Sequence, residues 1–335
     1  MNKKYEKKSI LVTGGTGSFG KHFINFLINN YKFKRIIIFS RDEQKHFNLQ
    51  KEWTAKKYSN LRYFLGDIRD EKRLDLALKD VNFVVHAAAI KHVPISEYNP
   101  FEAIQTNILG SQNVISSSLK NNVEKVVALS TDKAVAPINL YGATKLCADK
   151  LFLASNSYSG ADGTKFSVVR YGNVFGSNGS VIPLFMKHKD KGFFPITNLE
   201  MTRFNITLDD GVNFVFNSLE SMNGSELFIP KMPSYKIVDL ARSINNANKL
   251  KIIGIRPGEK VHEELVSKSD TNANYEYKDK FIILHKHQFS KIPNYIKKDI
   301  SSKKCKEVEK PFSYNSFDNK NYLNDLDIKN LIKNH

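Results

Sequence analysis

Tyr141 and Lys145 stand four residues apart in the stretch LYGATK, shortly after Thr131, Asp132 and Lys133. On a helix that spacing puts two side chains on one face. A free phenol titrates near ~10 and is a poor base at neutral pH, but a nearby ammonium favours its phenolate. Tyr141 beside Lys145 is therefore suited to take an alcohol proton while hydride leaves the same carbon for a nicotinamide. Thr131, at the end of the run VVALS, offers a hydroxyl to the oxygen that becomes a ketone. Alcohol oxidation needs little more. The acid and amine that follow Thr131 suggest that more than one proton moves. Asp132 and Lys133 either both reach the pocket as the chain leaves its strand, or form a turn whose charges face water. Strict strand alternation aims them apart. If Asp132 is to donate a proton, Lys133 is expected to be neutral through desolvation, the two titrating as a coupled pair.

A nicotinamide needs a dinucleotide site. LVTGGTGSFGKHF carries Gly14, Gly17 and Gly20 three residues apart, directly after an apolar run and at the start of a helical pattern. Glycines there allow a tight turn and close approach to pyrophosphate, and the helix start offers free N–H groups, next to Ser18 and Phe19. The next apolar run ends in Ser40 and Arg41 where an NAD site usually carries an acid. A hydroxyl and a guanidinium suit a 2′-phosphate, so NADP is favoured over NAD, with Asp42 as the opposing sign. Asp67 and Ile68 end a further run, Asp67 being placed to accept from adenine. Ala87, Ala88 and Ala89 let a cofactor lie against the backbone or pack a helix, and Lys91 follows, either near the substrate or solvated.

The elements that must hold these residues are legible. Short β-branched runs at 9–14, 35–40, 61–67, 82–89, 124–130 and 165–172 alternate with longer helical segments. Near-continuous apolar strands between helices imply a parallel sheet covered on both faces, binding ligands at its C-terminal edge. The fold class read from this is α/β, a doubly wound parallel-sheet Rossmann fold with a smaller interlaced C-terminal substrate lobe. Residues 1–173 form the dinucleotide-binding core and 174–300 the lobe. In the lobe VFGSNGSVIPLF is turn-rich, 226–230 and 250–255 look like isolated strands, and 235–247 reads as an amphipathic helix. Residues 301–335 read as a peripheral tail, rich in Lys, Asn and Asp.

Of the 335 residues 41% are hydrophobic, enough for a proper core. The formal charge of +17 comes largely from scattered lysines. No stretch interleaves Arg with aromatics as a nucleic-acid module does, so a solvated surface and no nucleic-acid partner are expected. The two cysteines, Cys147 and Cys305, have no metal-ligand spacing, and no metal is expected. No segment has the length of a signal peptide core or a membrane span, so a cytoplasmic protein without a membrane partner is expected.

The blocks TGGTGSFGK, SRDE, HAAAIKHVPISEYNPFEAIQTNILG, LSTDKA, PINLYGATKL, VVRYGNVFGS, GSVIPLF, MTRF and IIGIRPGEKVHEEL run in order from residue 13 to about 265. They resemble the extended short-chain dehydrogenase/reductase superfamily and, within it, the inverting UDP-N-acetylglucosamine 4,6-dehydratases of pseudaminic acid synthesis. FIILHK and YNSFDNKNYL match more loosely. Thr131-Asp132-Lys133 looks like the inverting signature, whereas retaining sugar dehydratases often read Thr-Asp-Glu and epimerases lack the acid–base pair. Met replaces Tyr141 in the membrane-anchored non-inverting and the bifunctional subgroups. The resemblance implies that Tyr141 takes the 4-hydroxyl proton, Lys133 takes the C5 proton and Asp132 protonates the departing 6-hydroxyl. Tyr141 or a water then completes the inversion at C5. It also implies NADP recycled at each turnover, UDP-N-acetylglucosamine as partner, and a homo-oligomer, often a hexamer. Lys91, Thr131, Tyr141, Asn173, Val181, Thr197, Met201, Arg256 and Glu259 match positions near the UDP-sugar. Asn205 stands where the family usually has Trp, which puts packing beside the substrate lobe in question. A UDP-hexose 4-epimerase, a retaining dehydratase and a non-catalytic NADP-sensing protein are the competing readings.

Overall fold

The structure, a computed structural model, describes residues 2–160, 163–176, 181–269, 272–284 and 292–333. Strands β1 (Ser9–Thr13), β2 (Arg35–Ser40), β3 (Leu61–Leu65), β4 (Phe83–His86), β5 (Lys125–Thr131) and β6 (Lys165–Tyr171) fall on the six apolar runs of the first half. Between them lie α1 (Ser18–Asn30), α2 (Glu43–Glu52), α3 (Glu71–Ala77), α4 (Val93–Tyr98), α5 (Pro100–Ile104), α6 (Gly110–Lys120) and α7 (Leu140–Ala154). All five residues of β1 are buried and all four of β4, as strands covered on both faces must be. Sheet order runs β3-β2-β1-β4-β5-β6, all parallel, so the order reverses between β1 and β4. That reversal opens a crevice beyond the strands' C-terminal ends, where Gly14, Ala87, Ala88 and Thr131 lie.

The second half adds β7 (Asn173–Val174), α8 (Val181–His188), β8 (Phe193–Ile196), β9 (Thr202–Ile206), α9 (Leu208–Ser221), β10 (Glu226–Pro230), β11 (Ser234–Lys236), α10 (Ile237–Ile244), β12 (Lys249–Ile252), β13 (Glu264–Val266), β14 (Ala273–Tyr277) and β15 (Lys280–Leu284). It closes with α11 (Asn294–Ser301), β16 (Cys305–Glu307), β17 (Tyr314–Asn315) and α12 (Asp325–Lys333). The lobe has its own small core of Ile182, Phe185, Phe194, Ile196, Met201, Tyr235, Leu240 and Ile328.

Three expectations change. ELFIP is no isolated strand. As β10 it continues the main sheet, parallel to β6 and antiparallel to β15, because α9 packs back onto the sheet and returns the chain there. Of the turn-rich stretch, 181–185 are helical, the start of α8, while 177–180 lie outside the described residues, as do 285 and 286 of FIILHK. The tail is built in: β16 is an edge of the ten-stranded sheet, β17 pairs with β13, and α12 buries Ile328 in the lobe. Its polar composition hid a few well-placed buried residues, Tyr314 and Ser316 among them.

Candidate active site

The loop after β1 forms a cradle. Gly14 has φ +65, and a Cβ there would meet the backbone of Ala88 at 2.9 Å; one at Gly20 would meet the Gly14 carbonyl at 2.4 Å. Helix α1 starts from Gly17 with no side chain capping its first turn. Uncapped N–H groups at a helix start beside bare backbone suit a pyrophosphate, so these residues fit a dinucleotide. The Thr13 hydroxyl accepts from Ala87 and Ala88 N–H and meets His86 Nδ1 at 2.8 Å, joining the two strand ends that flank the crevice. Ser18 is exposed, Phe19 stacks on Phe23, and Ala89 and Lys91 are exposed in the loop after β4. Ser40 Oγ lies 2.7 Å from Thr16 Oγ1, and Arg41 stands exposed above Asp67 at 3.7 Å. Asp67 accepts from Arg69, whose guanidinium offsets the burial of the carboxyl and holds it below its usual range. Ile68 is a buried core residue beneath it.

Strand β5 delivers the acid–base residues. After Thr131 the chain makes one tight helical turn, Asp132–Ala134, started by the Thr131 hydroxyl accepting from Lys133 N–H. That turn breaks strand alternation and brings both charges to one place. Lys133 Nζ donates to Asp132 Oδ1 at 2.9 Å and to Asn173 Oδ1 at 3.2 Å, and Thr131 Oγ1 donates to Asp132 Oδ1 at 2.9 Å. Asp132 is 0% exposed, so the water-facing turn is excluded. Helix α7 starts at Asn139, whose side chain accepts from Gly142 N–H, while Glu97 accepts from Leu140 N–H. A Cβ on Gly142 would lie 2.1 Å from the Lys133 carbonyl, so only glycine lets α7 and the Asp132–Lys133 turn approach this closely. Tyr141 and Lys145 follow on the buried face of α7.

Burial lowers Lys133, but the Asp132 and Glu263 carboxylates outweigh it and hold the ammonium above the ordinary lysine range. The neutral Lys133 expected from desolvation is therefore not the resting form. Tyr141 is pushed up to about 12 by burial, against the opposing pull of Lys133 and the Thr131 hydroxyl. Lys145 is itself lowered by burial. The phenol is thus the resting form of Tyr141, and a further positive charge must arrive to favour phenolate.

Among the residues matched to a sugar site, Asn173 touches Lys133. Val181 is the half-buried first residue of α8. Thr197 donates to Met201 Sδ, and Met201, 2% exposed, belongs to the lobe core. Arg256 is exposed and donates to Glu259 Oε1 at 2.9 Å. Asn205 is buried as the register partner of Asn173, its Oδ1 without a hydrogen bond. Sequence reasoning missed three residues. Glu263 is 2% exposed, with Oε1 3.4 Å from Lys133 Nζ. Arg203 lies between Glu259 and Glu263. Asn107, in a π-helical turn between α5 and α6, bonds Ile90 N–H and carbonyl and Thr144 Oγ1, tying the loop after β4 to α7. In AIQTNIL it stands beside Gln105 and Thr106, and nothing in the sequence singles it out.

The family model described as polysaccharide biosynthesis protein matches residues 10–285. The chain belongs to that family. Two curated members from Campylobacter jejuni subsp. jejuni, serotypes O:2 and O:23/36, carry the name UDP-N-acetylglucosamine 4,6-dehydratase (inverting). They are 49% and 48% identical over 330 residues, covering 98% of each chain. A UDP-glucose 4-epimerase from Rickettsia canadensis is 42% identical over 78% of this chain and 79% of its own. Among solved structures, Pen from Bacillus thuringiensis superposes with a TM-score of 0.87 at 36% identity, covering 99% of this chain and 98% of its own. This polysaccharide biosynthesis family member thus has the fold of the extended short-chain dehydrogenases/reductases. Among its described residues no helix is long and apolar enough to cross a membrane, and no cluster of metal-ligating side chains occurs.

Proposed function

We propose that the chain converts UDP-N-acetylglucosamine to the 4-keto-6-deoxy sugar nucleotide with inversion at C5, the opening step of pseudaminic acid synthesis. The observation that carries this reading is the Asp132–Lys133 pair, its carboxyl fully buried, hydrogen-bonded at 2.9 Å at the end of β5 and facing Tyr141. An oxidoreductase that only moves hydride has no use for it. The C. jejuni relatives, named for this reaction, support the assignment.

Tyr141 takes the O4 proton. When bound, an oxidised nicotinamide dinucleotide supplies the acceptor for the electron pair and hydrogen leaving C4, and gives both back at C6. Its positive charge also favours Tyr141 phenolate. The C4 ketone makes the C5 proton acidic. Lys133 Nζ takes that proton. The freed pair forms the C5–C6 double bond as the C6–O6 bond breaks, and the Asp132 carboxyl gives its proton to O6, which leaves as water. C5 regains a proton on the opposite face, from Tyr141 or a water. The form this needs, neutral Lys133 with protonated Asp132, is the resting pair with one proton moved along their hydrogen bond. No proton has to enter the site, and drying of the site by substrate favours the uncharged form.

Incubation with UDP-N-acetylglucosamine and catalytic NADP⁺ yields a product lighter by one water; a C4 epimer of unchanged mass contradicts the assignment. NADP is the proposed cofactor because Arg41 stands exposed beside Ser40. Arg41→Ala is expected to weaken NADP⁺ roughly 10- to 100-fold, the loss of a charged hydrogen-bonded pair, and to leave NAD⁺ unchanged; titration of each cofactor checks this. Gly142→Ala is expected to cost about 100-fold in kcat by displacing the Asp132–Lys133 turn from Tyr141, with little change in KM.

A further inference from the structure

Six side chains of alternating charge run from the surface into the acid–base centre. Arg256 Nη2 lies 2.9 Å from Glu259 Oε1, and Arg203 Nη2 lies 3.4 Å from the same oxygen. Arg203 Nε is 3.8 Å from Glu263 Oε1, which is 3.4 Å from Lys133 Nζ, itself 2.9 Å from Asp132 Oδ1. Side-chain exposure falls from 68% at Arg256 to 3% at Glu263, is 25% at Lys133 and 0% at Asp132. We propose that Glu263 is a positioning residue for the reaction, fixing where Lys133 Nζ points and keeping it an ammonium between turnovers. This rests on the assignment of Lys133 as the group that takes the C5 proton.

Glu263 is held for this task. Its backbone N–H donates to Ser316 Oγ, its carbonyl accepts from Ser316 N–H, and Ser316 Oγ meets Thr202 Oγ1 at 2.7 Å on β9. The C-terminal segment thereby locks Glu263 onto the strand that carries Arg203. Glu263 Oε2 has no hydrogen bond despite full burial. A buried carboxylate left half satisfied is costly and persists where its charge is used. The Lys133 ammonium has three hydrogens, and three acceptors surround it: Asp132 Oδ1, Asn173 Oδ1 and Glu263 Oε1. Removing Glu263 frees the head group to turn away from C5. The charged and titratable groups facing Lys133 are Asp132 from its own turn, Tyr141 from α7, Arg203 from β9, Tyr235 from β11 and Glu263. Asp132 and Glu263 raise it, Arg203 and burial lower it, so loss of the Glu263 charge moves its titration toward lower pH.

The test uses Glu263→Gln, which keeps the shape and removes the charge, and Glu263→Asp, which keeps the charge and withdraws it by one methylene. The Lys133 Cε resonance of ligand-free, ¹³C-lysine-labelled protein, assigned with Lys133→Met, is followed against pH, alongside the pH profile of kcat. The wild-type midpoint is expected highest, Glu263→Asp lower, and Glu263→Gln lower again by about one unit or more. The alkaline-side fall of kcat, where the pair loses the proton that Asp132 must give O6, moves in the same order. Unmoved midpoints in the variant that folds, even with a lowered melting temperature, overturn the proposal. The resonance is read without turnover, so absence of dehydration by wild-type protein counts against the proposed function and leaves this result standing.

Discussion

Asp132→Asn is expected to lower kcat for dehydration about 1,000-fold, within the range for loss of a general acid, while C4 oxidation survives. Asparagine has the shape of Asp132 and can still accept from Thr131 and Lys133, but it has no proton to give O6. Tyr141 and Lys145 lie on a different element, α7, and are untouched. The variant therefore stalls after oxidation. In a single turnover, reduced nicotinamide builds up, visible by its absorbance, and the bound sugar retains its 6-hydroxyl. A variant that loses oxidation and dehydration together would place Asp132 in support of the site, not in the elimination. Lys133→Met is a harsher change. It leaves Asp132 buried without its cation and Glu263 with Arg203 alone, and removing one partner of a buried pair costs roughly 3–5 kcal/mol. Its catalytic effect is thus to be read with the melting temperature beside it.

The second large effect belongs to Tyr141. Tyr141→Phe removes the phenol that takes the O4 proton and is expected to lower kcat by about 1,000-fold or more, with no reduced nicotinamide at any stage. Burial pushes the Tyr141 phenol up to about 12 in the free protein, so the proton must be displaced by the charge of the bound oxidised cofactor. Oxidation is accordingly expected to rise with pH, because phenolate is the working form, and the phenylalanine variant lacks that rise. Stopped-flow absorbance across the pH range separates the two. The two variants fail at different points: one accumulates reduced cofactor and the other never forms it.

Much of this site was legible because its parts are local. The glycine loop, the end of β5 and the Tyr-x-x-x-Lys spacing each sit within one strand–turn–helix step, and near-continuous apolar strands announced the parallel sheet. What escaped depends on residues far apart in the chain. ELFIP reads as a strand anywhere, and only its pairing with β6 and β15 puts it in the main sheet. Glu263 is one of two adjacent acids in KVHEEL, with no periodicity to mark it. It matters because β13, β17 and β9 bring it to Lys133 from the other half of the molecule. The protonation of Lys133 was misjudged for the same reason. Desolvation alone lowers a lysine, and the second carboxylate that reverses the sign is invisible in the local sequence. The tail misled by composition, since a Lys- and Asn-rich segment can still place one Tyr and one Ser where the fold needs them.

The central claim is that an amine, a carboxyl and a phenol together move protons at C4, C5 and O6 of a UDP-linked hexose. Running the reaction on UDP-N-acetylglucosamine in D₂O and recording the proton NMR spectrum of the product tests it most directly. A new C6 methyl signal without coupling to C5, together with the L-arabino configuration, is the predicted result, because C5 regains its hydrogen from solvent on the opposite face. A product that keeps its C5 proton and its 6-hydroxyl, or a methyl ketosugar of retained D-xylo configuration, would contradict it.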